Sequence, residues 1–215
     1  MIHRRATVAV GAMSVFGLFS GRARANPESN FWSWFQANDA VLFDFERDQE
    51  RTFDRLASEL RKVDPNLTFE FGPKTDGRRE FVISADGTRN SFPKVESLFA
   101  AAPTMPRWKV IKFRPRREPF DLQYSGILVK ASTVTATIRP EGQKAGITLF
   151  IPGYSESAHK AYTGIAFLFI DQALGEYDVE TRVGRINVQA PSTSAEGAFP
   201  LEKLPAAFDA LFARH

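Results

Sequence analysis

From Asn26 onward the apolar positions recur with two periods, one close to a helical turn and one of alternate residues. Asn26-Pro27 opens a predicted helix, with Asn26 as cap and Pro27 at the first helical position. Phe31, Trp32, Trp34 and Phe35 put aromatics on more than one face of it. Such a helix is either buried on most sides or used as a docking surface. A second helix is predicted from Asp48 to Val63, with Phe53, Leu56, Leu60 and Val63 on one stripe and Arg51, Arg55, Glu59 and Arg61 facing water. Asp64-Pro65-Asn66 stops it.

The period then changes to two. Leu67, Phe69 and Phe71 alternate with polar residues, Gly72 to Gly77 supply a turn, and Glu80 to Ala85 return as the second arm of a hairpin. Asp86-Gly87 marks a further turn, Ser91 to Ala102 a helix and Trp108 to Phe113 a strand. Arg114 to Tyr124 is rich in proline and charge and reads as a linker or an irregular edge. The earlier order then recurs. Strands are predicted at 127–131, 134–138 and 147–151, a helix from Ser157 to Leu174 stopped by Gly175, and a strand from Val183 to Val188. A last helix, begun by Leu204-Pro205, carries Phe208, Leu211 and Phe212. The fold class is therefore α+β: a mostly antiparallel sheet with helices packed on it, with two ferredoxin-like strand–strand–helix–strand halves, 26–117 and 118–215, as its candidate form.

Residues 1–25 have a different character. Arg4-Arg5 precede a mildly apolar stretch from Ala6 to Phe19, and Ala23-Arg24-Ala25 matches the small-x-small pattern of signal cleavage. The paired arginines, with Arg22 and Arg24 just before the cut, favour a twin-arginine export signal over an ordinary secretory one, although Thr7 stands where that signal usually carries a large apolar residue. The apolar stretch is too short for a permanent membrane anchor. Cleavage after Ala25 would release a periplasmic or secreted chain. It also changes the charge argument. The whole sequence is +3, but the leader holds four arginines and no acid, so 24 basic and 25 acidic residues remain, a formal charge of −1. The basic footprint of a nucleic-acid-binding protein is missing.

Candidate chemistry is sparse. The absence of cysteine removes disulfides, thiol catalysis and thiolate metal sites. Only His159 and His215 follow the leader, and no phosphate loop, cofactor motif or metal-ligand spacing is present. Gly153-Tyr154-Ser155-Glu156-Ser157 resembles a hydrolase nucleophile elbow, but Ser157 replaces its final glycine. His159 lies only four residues beyond Ser155, where it points along the helix and not back at the serine. Capping of the following helix by Ser155 or Ser157 is the simpler expectation.

Two charged groups remain. Asp171 ends the apolar run Phe167 to Ile170, and Glu176, Asp178 and Glu180 alternate, so an extended segment would place these three on one face. Such acids hold Mg²⁺ or Ca²⁺, act as an acid–base pair, or simply face solvent. Arg114, Arg116 and Arg117 form either an anion or partner site, or a structural tie to the chain's own acids, Asp171 and Glu176 among them.

Several stretches taken together resemble a family of uncharacterised bacterial proteins, a domain of unknown function. They are Phe31-Trp32 with Trp34-Phe35, Glu80 to Ala85 with Gly87, Phe92-Pro93 with Val95 and Leu98, Ala102-Pro103, Trp108 with Phe113 to Arg116, and Leu174 to Val179. The resemblance spans most of the chain after the leader and implies no activity, cofactor or catalytic residue.

The sequence thus points to an exported, non-catalytic binding module for a small anion, a peptide or a protein partner. Arg114, Arg116, Arg117, Asp171, Glu176, Trp32 and Trp34 are its candidate contacts. The alternative is a carboxylate-dependent hydrolase acting on an anionic substrate through Asp171, Glu176 and Asp178. A structural or assembly module would instead show a large exposed aromatic patch around Trp32 and Trp34.

Overall fold

The computed structural model describes residues 26–191 and 196–213. The candidate export signal and His215 lie outside the described residues. Among those described, no helix is long and apolar enough to cross a membrane.

The first half begins with helices. The Asn26 carboxamide accepts the Ser29 N–H at 2.8 Å and starts α1 (Pro27–Ala37), as the Asn-Pro pair predicts. A short helix, α2 (Asp39–Phe43), leads to α3 (Gln49–Arg61). Next come β1 (Thr68–Thr75), β2 (Arg78–Ser84), α4 (Phe92–Ala100) and β3 (Trp108–Lys112). The β1–β2 turn is tighter than predicted. Gly72 and Pro73 stay inside β1 as an irregularity between Phe71 and Lys74, and Asp76-Gly77, both with positive φ, make the corner.

The second half opens with a small hairpin, β4 (Leu122–Tyr124) and β5 (Ile127–Val129), where β4 lies at the end of the predicted linker. It continues with β6 (Thr135–Glu141), β7 (Lys144–Phe150), α5 (His159–Leu174), α6 (Glu176–Arg182), β8 (Val183–Gln189), β9 (Phe199–Pro200) and α7 (Leu204–Phe212). The architecture is α+β, and antiparallel pairs predominate.

The sheets run β1-β2-β3 and β8-β7-β6-β9. In each, a hairpin's second strand sits in the middle and pairs in parallel with the strand that returns after a helix: β2 with β3, and β7 with β8. The predicted strand–strand–helix–strand order is therefore present twice. The ferredoxin-like form is not confirmed, since the first sheet stops at three strands.

Buried side chains form two clusters. In the first half Phe81, from the middle strand, is ringed by Phe31, Trp32, Phe35, Phe71 and Trp108, with centroids between 4.8 and 6.4 Å. In the second half, aliphatic residues of β6, β7 and β8 pack on α5 and α7 through Ile165, Phe169, Ala173 and Phe208. The helix α5 buries most of its length, which accounts for its nearly continuous apolar sequence.

Candidate functional site

The two clusters meet along the segment from Phe113 to Arg117. Phe113 takes a positive φ of 61°, uncommon for a bulky residue, and the chain turns sharply there out of β3. The conformation is held from both sides. The Phe113 N–H donates to the Ile83 carbonyl at 2.7 Å, and its ring packs on Phe92 and on Tyr177 of α6. Opposite this strap, Gly175 joins α5 to α6 with φ of 77°. A side chain on Gly175 would meet the Arg114 carbonyl at 2.9 Å, so the backbones approach as closely as only glycine permits.

Each strap arginine is tied to a different element. Arg114 donates through Nε to Asp171 at 2.9 Å and through Nη1 to Asp86 at 2.9 Å and to the Ser84 hydroxyl at 3.2 Å. Its Nε also lies 3.9 Å from Glu70. Arg116 makes a two-pronged contact with Asp209 of α7, reaches Asp178 at 2.7 Å and donates to the Leu174 carbonyl. Arg117 donates to Glu80 at 2.6 Å, and its backbone N–H to the Gln172 carbonyl at 2.7 Å. The structural tie foreseen for this cluster is therefore formed.

Glu176 completes the seam. It is fully buried, and its carboxylate accepts three backbone N–H groups: Ala85 at 3.0 Å, Gly87 at 3.2 Å and Arg114 at 3.1 Å. Its own N–H donates to the Arg114 carbonyl. A buried charge held by three donors is satisfied, and these bonds cross from the second half to the first.

The predicted extended face of acids is corrected here. Residues 176–182 are helical, because Gly175 turns the chain directly into a new helix. Helical spacing separates Asp178 from Glu176 and sends it to Arg116 and Arg182. Asp171, Glu176 and Asp178 thus reach three different surroundings, and Glu176 faces no solvent. Among the described residues no three His, Cys, Asp or Glu are grouped to hold a metal ion.

A cleft of about 380 Å³ opens on one side of the strap. Glu70, Asp86, Asp171, Arg114 and Arg117 form its polar floor and rim, and Phe120, Leu122, Phe167 and Leu168 its apolar wall. Phe120 is 59% exposed. Burial pushes the carboxyls of Asp171 and Glu70 above the ordinary carboxylate range, against the opposing pull of Arg114. Burial disfavours the Arg114 cation as well. It is outweighed by the bond to and charge of Asp171, and Arg114 holds its proton more tightly than usual. At Glu80 burial is outweighed by the Arg117 and Lys109 bonds, which hold that carboxyl low.

The aromatic pair divides. Trp32 is 2% exposed and donates its indole N–H to the Leu98 carbonyl at 2.8 Å, so it is a core residue with its polar atom satisfied. It offers nothing to a partner, and the exposed aromatic patch of an assembly module is not formed around it. Trp34 is half-buried, with the Arg55 guanidinium 5.9 Å over its ring.

The serine turn also departs from expectation. Ser155 and Ser157 hydrogen bond to each other at 3.1 Å and neither caps α5. A 3₁₀ turn, Glu156–Ala158, precedes α5, so both serines lie ahead of its cap position, which Ala158 occupies. His159 bonds to the Tyr154 hydroxyl and not to Ser155, and no nucleophile–base pair results.

Sequence reasoning missed Glu70, Glu80, Asp86, Asp209 and Phe120. Glu70 points away from Phe69 and Phe71 on an alternating strand, which marks it only as polar. Asp86 reads as turn chemistry alone. Asp209 belongs to α7, and no local pattern announces that it meets Arg116. Compared with protein-family models, with curated proteins and with solved structures, the chain matches none.

Proposed function

We propose that the chain is an exported binding module without a catalytic role of its own, and that the cleft beside the strap receives a basic, partly apolar peptide or protein segment. One observation carries this reading. Three carboxylates, Glu70, Asp86 and Asp171, share the cleft with two arginines that already have partners, beside an apolar shelf ending in exposed Phe120. Surplus negative charge next to apolar surface suits a lysine or arginine followed by a large side chain. A small anion is the weaker candidate, because each arginine would have to give up a carboxylate to hold it. In this proposal the halves 26–117 and 118–215 act as one α+β unit joined at the strap, within the bacterial family that the motifs resemble.

The test is titration of the full chain with two labelled peptides of equal length, one alternating Lys with Leu and one alternating Glu with Leu. The basic peptide should bind, weaken as salt is raised, and weaken again in Asp86→Asn and Phe120→Ala. Binding of the acidic peptide alone would replace this reading with the anion site. For export, intact mass of the chain recovered from outside the cytoplasm should begin at Asn26, and a Met1 terminus would refute cleavage.

A second reading has one observation in its favour. Glu70 and Asp171 both lie near the Arg114 Nε and both have raised pKa values, a pairing that suits acid–base work in a carboxylate-dependent hydrolase. Turnover of phosphate or sulfate esters that is abolished in Asp171→Asn would establish it.

A further inference from the structure

The two strand–strand–helix–strand units share a local design at the end of the middle strand. β2 and β7 are each followed, at the third residue, by a glycine with positive φ, Gly87 and Gly153. The next residue's N–H closes the turn, Thr88 to the Ala85 carbonyl and Tyr154 to the Ile151 carbonyl. A 3₁₀ turn then leads into the crossover helix, α4 or α5. In both halves this end lies where the middle strand and its parallel neighbour finish, the edge at which sheets with parallel pairs commonly bind ligands.

In the first half that place is filled from within. Glu176 takes the Ala85 and Gly87 N–H groups, and Tyr177 packs on Phe92 and Phe113. In the second half the equivalent place is an open cavity of about 340 Å³, within the size range of small-molecule sites. Its walls are Tyr154, Glu156, His159 and Thr163 from the turn and α5, and Asn187 and Gln189 from β8.

We propose that this cavity is a binding site for an uncharged polyhydroxylated molecule, a sugar ring or cyclic polyol. The hydrogen-bonding inventory leads there. The Tyr154 hydroxyl donates to Glu156 at 2.9 Å, so by proton count the His159 Nδ1, also at 2.9 Å, must donate to Tyr154. Carboxylate and imidazole are thus joined through one hydroxyl. The Thr163 hydroxyl donates to the His159 carbonyl at 2.9 Å and lies 3.4 Å from the His159 Nε2, and its oxygen keeps a lone pair for a further donor. Among the described residues, the side-chain amides of Asn187 and Gln189 have no hydrogen-bond partner. Each presents a donor and an acceptor side by side. No lysine or arginine lines the cavity to attract an anion, and its one carboxylate is already engaged. A ring of hydroxyls, each donor and acceptor at once, matches such walls better than an ion does.

The experiment is amide-detected NMR on the full chain, following the Asn187 and Gln189 side-chain signals. The probes are glucose, N-acetylglucosamine and myo-inositol, with phosphate and ethylammonium as charged controls. Saturable shifts of both amides with a neutral probe are expected. Gln189→Ala, an exposed position, should weaken that binding about three- to tenfold with an unchanged melting temperature. Silence from all three neutral probes, or response to a charged control alone, would overturn the proposal. This cavity is separate from the strap cleft, so neither result bears on the peptide titration.

Discussion

The two halves follow the same path and fill it differently. The first surrounds Phe81 with aromatic rings from α1, β1 and β3, whereas the second packs aliphatic residues of three strands against α5 and α7. Helix length is one reason. The crossover helix α4 has 9 residues, so the first sheet is also covered by α1 and α3, and large rings span the space between them. The 16-residue α5 supplies a continuous apolar surface. The turn ends differ as well, one plugged by Glu176 and Tyr177, the other open. The comparison teaches that a shared topology need not leave a visible sequence repeat. Packing constrains total volume and polarity, and different side-chain sets satisfy both.

The largest effect should come from the aromatic half. Trp32→Ala is expected to cost about 3–5 kcal/mol in urea unfolding, as for other buried tryptophans. Trp34→Ala, two residues away, should cost about 1 kcal/mol or less. Equal costs would mean that α1 is buried on both sides.

Glu176→Ala is next, at about 3 kcal/mol, because three N–H groups lose a charged acceptor. It should also uncouple the halves. All three tryptophans lie in the first half, so fluorescence reads that half and far-ultraviolet circular dichroism reads both. The two signals should coincide for the natural chain and separate in the variant. Coincidence in both would show that the seam does not depend on Glu176.

Gly175→Ala should lose about 1–3 kcal/mol, from its positive φ and the approach of the Arg114 carbonyl. A neutral result would mean that the strap yields.

The smallest effect is on pH dependence. The folded-state pKa values of Asp171 and Glu70 are raised, so their stabilising contribution is present in acid and lost as pH rises through the folded titration. Glu80 behaves oppositely. Its contribution is present above the ordinary carboxylate pKa and is lost as pH falls through its depressed folded value. A carboxyl NMR titration should therefore place the Asp171 midpoint above the ordinary carboxylate range and the Glu80 midpoint below it. The reverse order would contradict the contrast between Asp171, where burial outweighs the Arg114 bond, and Glu80, where the Arg117 and Lys109 bonds outweigh burial.

Local signals on the chain were sufficient for most elements. The Asn-Pro helix start, the apolar stripe of α3, the alternation of β1 and the Gly175 stop are short-range effects that persist in the fold. The tie between Arg114 and Asp171 was one of two readings left open, and the structure selects it. The failures were of another kind. Residues 176–182 read as alternating acids, yet Gly175 turns the chain into a helix there, and its first turn sets Glu176 and Tyr177 against the first half. Ser155 and Ser157 read as caps, yet an intervening 3₁₀ turn moves the helix start.

By itself, then, the sequence determined the order of the longer elements and the α+β class, since these follow from periodicity and backbone preference over a few residues, whereas the short α2, α6 and β9 left no such signal. Only the tertiary structure decided that Trp32 is core, that Asp171 and Asp178 fall on different sides of one strap, and that Glu70 and Asp86 join them. Those positions depend on contacts between residues far apart in the chain, chosen by packing and by the need of each buried charge for a partner.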